Sequence, residues 1–193
     1  MNNIIDKDKI YVLERELTKA TTDFYISELL FDKSFVNSLT RYAIFLKDIS
    51  NHYAYTGIME LYKIFDKNGS TNNIYYVINN LTDASKKVKY NTKADEIRDK
   101  LKPILDRRNE VVAHSSRKED SDYLVMYKTY SAEEYNKIIK TTLEDVAAIL
   151  NQLRTEFDFE SDFDHHFLSI ENECSYLVES LILIESQRGY GVA

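Results

Sequence analysis

A chain with one proline and four glycines in 193 residues has almost nothing in it to stop a helix. Proline removes a backbone donor and glycine pays the largest entropic cost of being ordered, so their scarcity favours long regular elements. Apolar residues recur at intervals of three and four over most of the length, the period of an amphipathic helix. Fifteen Tyr and nine Phe, with no Trp, supply large groups through which such helices pack. The expected fold class is all-α: a bundle of five to six helices forming a single domain over residues 1–188, with residues 189–193 as a frayed tail.

Along the chain, Ile10, Leu13, Leu17, Ala20 and Phe24 mark a first helix to about Phe31. A second pattern runs from Phe35 through Leu39, Tyr42, Leu46, Ile49, Tyr53, Gly57 and Leu61 to Phe65, with a bend expected at Gly57. The polar stretch Asp66 to Asn73 reads as a loop with capping residues for a short helix over Ile74 to Leu81. Thr92 and Asp95 have the spacing of a capping box and are expected to open the next helix. Pro103 is expected to kink or interrupt that helix, or to begin a new one ending at His114. Periodicity lapses from Lys118 to Tyr130, where Tyr123, Val125, Tyr127 and Thr129 alternate, and this stretch is taken as a crossover loop. Ser131 and Glu134 form a second capping box before a helix to Phe157, and after the acidic break Asp158 to Asp164 a last helix carries Ile170, Cys174, Leu177 and Leu181.

A lone cysteine rules out an internal disulfide and is too few thiols for a zinc finger or iron–sulfur cluster, which fits a reducing, cytoplasmic setting. Neither a secretion signal nor a membrane span is legible, so no membrane partner is expected. The net charge of −7 argues against a surface that grips nucleic acid everywhere. Between Lys86 and Lys118, however, eleven Lys and Arg face five Asp and Glu, so this stretch carries +6 and the remainder −13. Taken alone, such a run is read first as a solvated helix face with its cations near the C-terminal end of the helix dipole, and second as a binding surface.

Inside the basic stretch the apolar register Ala94, Ile97, Leu101, Ile104 arrives at Arg108 before resuming with Val111 and Val112. A permanent guanidinium charge in an inward stripe needs a partner, so Arg108 is either half of a structural ion pair or faces an anion across an interface. An arginine, a polar residue, four mostly apolar residues and a histidine late on a helix resembles the signature of the HEPN superfamily, here Arg108, Asn109 and His114. The upstream segment Phe45 to Asp66, closing with Leu61-Tyr62-Lys63-Ile64-Phe65-Asp66, is similar to the abortive-infection branch of that superfamily.

The resemblance implies a HEPN-like bundle that dimerises through its motif helices and, in active members, cuts RNA without a metal or other cofactor. It implies a toxin or abortive-infection effector in phage defence, held in check by an antitoxin protein. The residues suit the chemistry: His114 as general base or acid, Arg108 stabilising the charge on the phosphorane, and Asn109 positioning. Arg107, Arg117 and Lys118 would contact RNA phosphates, and a solvated surface explains them equally well. On one helix Arg108 and His114 stand about 9 Å apart along the axis and about 120° apart around it, so a second copy meeting across a two-fold axis would complete the cleft. Taken singly, Glu110 and His114 form an ordinary i,i+4 surface pair, and Val111, Val112 and Ala113 are packing residues.

The alternative from another class is a catalytically silent HEPN-like dimer that binds a nucleotide or a partner protein. Weaker constellations are set aside. Asp158, Glu160, Asp162 and Asp164 alternate as in a calcium loop, but Phe163 stands where glycine is required and Ser169 where the closing glutamate belongs. His165 and His166, adjacent on one turn, point apart and make a poor metal pair. His52 is expected to be a packing or cap residue, and Cys174 to be core.

Overall fold

A computed structural model describes residues 7–31, 42–67, 72–114, 132–158 and 163–187, and over 105–114 it describes the helix backbone alone. Among these residues every regular element is a helix: α1 (Lys7–Phe31), α2 (Ala43–Phe65), α3 (Ile74–Asn79), α4 (Ala84–His114), α5 (Ala132–Glu156) and α6 (Phe163–Gln187). The alternating stretch at Tyr123–Thr129, the Ser131 cap and the tail 189–193 lie outside the described residues. No helix among the described residues is long and apolar enough to cross a membrane.

The chain divides into two compact units, Met1–Leu17 with Ile58–Ser161, and Thr18–Gly57 with Asp162–Ala193. The first unit holds most of the core. Ile10, Leu13 and Leu17 of α1 are buried there, as are Ile58, Leu61, Ile64 and Phe65 of α2. From α4 come Tyr90, Ala94, Ile97, Leu101 and Ile104, and from α5 Tyr135, Ile139, Val146, Ile149, Leu150 and Leu153. Ile10, Leu13, Leu17, Leu61, Phe65, Ala94, Ile97, Leu101 and Ile104 lie on the three-four stripes read from the sequence, and each methylene removed from water contributes about 0.8 kcal/mol.

Two expectations about α4 are corrected. Thr92 and Asp95 do not open the helix: it starts at Ala84, where the Asp83 carboxylate accepts from the Ser85 and Lys86 backbone N–H groups at 2.8 and 3.2 Å and from the Ser85 hydroxyl at 2.8 Å. The Ser85 hydroxyl and the two amides hold the Asp83 carboxyl below its ordinary range. Thr92 instead donates back to the Val88 carbonyl at 3.0 Å, as a threonine inside a helix does. Nor does Pro103 interrupt the helix, which continues on both sides of it; the ring stands on the exposed face. Asn73, by contrast, caps α3 from the expected loop, its Oδ1 accepting from the Tyr76 N–H at 2.8 Å.

The first unit also buries charges that the apolar stripes did not announce. Arg154 Nε of α5 stands 3.3 Å from Glu14 Oε1 of α1, with side chains 10% and 5% exposed. Lys63 donates to Glu60 Oε2 at 2.6 Å and lies 3.6 Å from Glu16 Oε2. Burial, and next a hydrogen bond with Glu16, push the Glu60 carboxyl above its ordinary value of 4.5 although Lys63 pulls it down.

In the second unit, Gly57 lies within α2, and a Cβ there would meet the Phe24 ring at 3.0 Å. The glycine admits a close approach of α1 rather than breaking the helix. Ser50 donates to the Ser27 carbonyl at 2.8 Å, and Leu46 packs with Leu30 and Ile182. Cys174 is buried, as expected, whereas Leu177 and Leu181 of the α6 stripe are 55% and 38% exposed.

Pro103 leaves the Asp99 carbonyl without its helical donor, so Pro103→Ala is expected to stabilise the protein by about 2 kcal/mol, read as a rise of roughly 4–8 °C in thermal midpoint. A carboxyl whose folded pKa lies above its unfolded value contributes stability below the unfolded value and loses it as pH rises through the folded one. Thermal midpoints measured from about pH 5 to about pH 8 should therefore fall less in Glu60→Gln than in the wild type, because the amide keeps the protonated form's neutrality at every pH. Parallel curves would remove Glu60 as the cause.

Candidate functional site

α4 carries the signature, and α3 and α5 both pack against it. On the α3 side, Asp95 accepts from the Tyr75 hydroxyl at 2.8 Å and from Lys67 at 2.6 Å, and Lys67 sits 4.6 Å above the Tyr75 ring. Burial, then the hydrogen bond to Asp95, push the Tyr75 hydroxyl above its ordinary range. Burial acts to raise the Asp95 carboxyl too, but hydrogen bonds from Lys67 and Tyr75 outweigh it and hold the group low.

On the α5 side, Lys86 donates to Glu156 Oε2 at 2.5 Å, the Tyr90 hydroxyl to Glu156 Oε1 at 3.2 Å, and Lys100 to Asp145 Oδ2 at 3.2 Å. The hydrogen bond from Lys86 lowers the Glu156 carboxyl and correspondingly raises Lys86; burial, then the Glu156 charge, raise the Tyr90 hydroxyl. Solvent screens these surface pairs, so their importance is in register more than in stability.

The register is periodic. Lys86, Lys93, Lys100, Arg107 and His114 recur every seven residues on α4, and a straight helix drifts by only about 20° per seven, so the five positions share one flank. Sequence reading found the positive charge of this stretch but not its period. The signal was present in the spacing alone.

Arg108, Asn109 and His114 stand in the closing turns of α4, and Arg107 with them. Position 108 continues the register of the buried Tyr90, Ala94, Ile97, Leu101 and Ile104 at the next step of four. One α-helix brings Arg107 and His114 to one flank but keeps Arg108 about 120° from His114. Arg117 and Lys118 lie outside the described residues. Among the described residues no three His, Cys, Asp or Glu side chains gather as a metal site requires. His52 is exposed on α2, edge-on to Tyr53 at 6.1 Å, which corrects its expected place in the packing.

An all-helical chain whose long helix closes on Arg108-Asn109 and His114 has the architecture of a HEPN domain. The family model of HEPN domains described as AbiU2 matches residues 9–166, the greater part of the chain, and the protein belongs to that family: it is an abortive-infection-related HEPN domain with a HEPN-like helical bundle. No curated protein and no solved structure matches it.

Proposed function

We propose that the protein is a metal-independent endoribonuclease that acts as an abortive-infection effector, a toxin in phage defence. The observation that carries this is the sequence Arg108-Asn109 with His114, borne on the closing turns of an unbroken helix in a chain of the AbiU2 HEPN family.

RNA contains its own nucleophile. His114, as a neutral imidazole, takes the proton from a 2′-hydroxyl while that oxygen attacks the adjacent phosphorus; the P–O5′ bond breaks, and the leaving oxygen takes a proton from water, giving a 2′,3′-cyclic phosphate and a 5′-hydroxyl. Arg108, permanently charged and able to bind two oxygens at once, stabilises the phosphorane. Asn109 orients the phosphate, and Arg107, Arg117 and Lys118 hold flanking phosphates. Because one helix keeps Arg108 and His114 apart, each cleft takes one from each copy of a homodimer joined through the motif helices. A protein able to cut cellular RNA also needs restraint, which an antitoxin partner supplies.

Purified protein incubated with total RNA in EDTA should yield fragments ending in 2′,3′-cyclic phosphate, and His114→Ala and Arg108→Ala should each lower the rate at least about 100-fold. Mixing the two inactive variants should restore about a quarter of wild-type activity, since half the dimers are mixed and each carries one complete cleft. Undiminished cleavage by His114→Ala would overturn the proposal; a mixture that stays inactive while both variants dimerise would overturn the shared cleft.

A further inference from the structure

The two ion pairs between α4 and α5 set a step that can be continued. Lys86 and Lys100 are fourteen residues apart, and their partners Glu156 and Asp145 are eleven apart in the opposite direction, so the two helices run antiparallel along this edge. Fourteen residues are about 3.9 helical turns and eleven about 3.1, so either step returns to nearly the same flank of its own helix. One further step of fourteen from Lys100 is His114. One further step of eleven from Asp145 is Glu134.

The steps rise about 21 Å on α4 and about 16.5 Å on α5. That difference of about 4.5 Å is already absorbed between the first pair and the second, and the third step asks for the same again. Carboxylates on this edge of α5 stand only at the step positions Glu134, Asp145 and Glu156; the intervening positions on the same flank, Ile138, Thr141, Ile149 and Gln152, carry no charge. Lys93 and Arg107 occupy positions midway between steps, level with uncharged residues, and the third step, its lengthwise offset about 4.5 Å greater than that of Lys100–Asp145, brings position 114 to the start of α5, whose first turn is acidic.

We propose that Glu134 is the positioning residue for His114. This rests on the endoribonuclease reading of the same helix. A carboxylate accepting from one imidazole nitrogen fixes the tautomer, so that the other nitrogen is free to take the 2′-hydroxyl proton, and it stabilises the imidazolium that results. Glu134 is solvent-exposed, which suits a group at the edge of a cleft. The other charged residues near this level are Arg107, Arg108 and Glu110 on α4 and Glu133 and Lys137 on α5; α3 carries none. Glu133 is about 100° from Glu134 around the helix and off the edge that Asp145 and Glu156 share.

The test is the titration of His114 by NMR in the full chain, its resonance assigned from His114→Ala among the four histidines. In the wild type its pKa should lie above the ordinary value of about 6.5, and Glu134→Gln should lower it by about one pH unit while Asp145→Asn leaves it in place. In cleavage assays Glu134→Gln should reduce kcat about tenfold with little change in KM and move the acid limb of the pH profile to lower pH, and Glu134→Asp should recover part of the loss. An unmoved His114 titration in Glu134→Gln, in a protein that cleaves RNA, overturns Glu134 alone. A moved titration in a wild-type protein that cleaves no RNA places the failure in the ribonuclease reading and removes the positioning role with it.

Discussion

The seam between α4 and α5 is the constraint on which the rest of this molecule depends. α4 is long and, taken as a whole, polar, so nothing in it would hold 31 residues helical in water without a partner. Its apolar positions Tyr90, Ala94, Ile97, Leu101 and Ile104 are buried, as is the corresponding stripe of α5, and the pairs Lys86–Glu156 and Lys100–Asp145 run beside them. Hydrophobic burial supplies the stability. The ion pairs contribute little energy but define how the two helices are aligned lengthwise. That alignment determines what stands beside the end of α4, where Arg108, Asn109 and His114 are.

The same unit shows how this family member tolerates charge indoors. Glu14 and Arg154 neutralise one another between α1 and α5, and Glu16, Glu60 and Lys63 form a second group between α1 and α2. Burying ions is costly even when they are paired, and an apolar substitute of the same shape is often as stable, so these groups serve better as register marks between helices than as a source of stability. Position 108 continues the register of the buried α4 residues, and under the proposed function the anion that an arginine needs there is a substrate phosphate.

Helix identity was legible from periodicity, and so was much of the core: the α1 stripe Ile10, Leu13, Leu17, Ala20 and Phe24 and the α4 stripe Ala94, Ile97, Leu101 and Ile104 were named residue by residue. The start of α4 was not, because Asp83 caps it without the glutamate or glutamine three residues on that makes a capping box conspicuous, while Thr92 and Asp95 imitate one inside the helix. Pro103 misled for a related reason. Local propensity argues for a break there, but packing on both sides of it outweighs one missing hydrogen bond. The buried glutamates were invisible because a charge at a helix position is read as solvated unless its partner, distant in sequence, is known; Glu14 and Arg154 are 140 residues apart.

By itself, then, the sequence determined the helical class, the apolar stripes and the family signature Arg108, Asn109 and His114, all of which depend on neighbours within one or two turns and are written in local spacing. Tertiary structure alone decided which helix lies beside which, which carboxylates accompany the basic flank of α4, and which charges go inside. Those outcomes depend on contacts between residues tens of positions apart, and the chain must fold before such residues have any relation to one another.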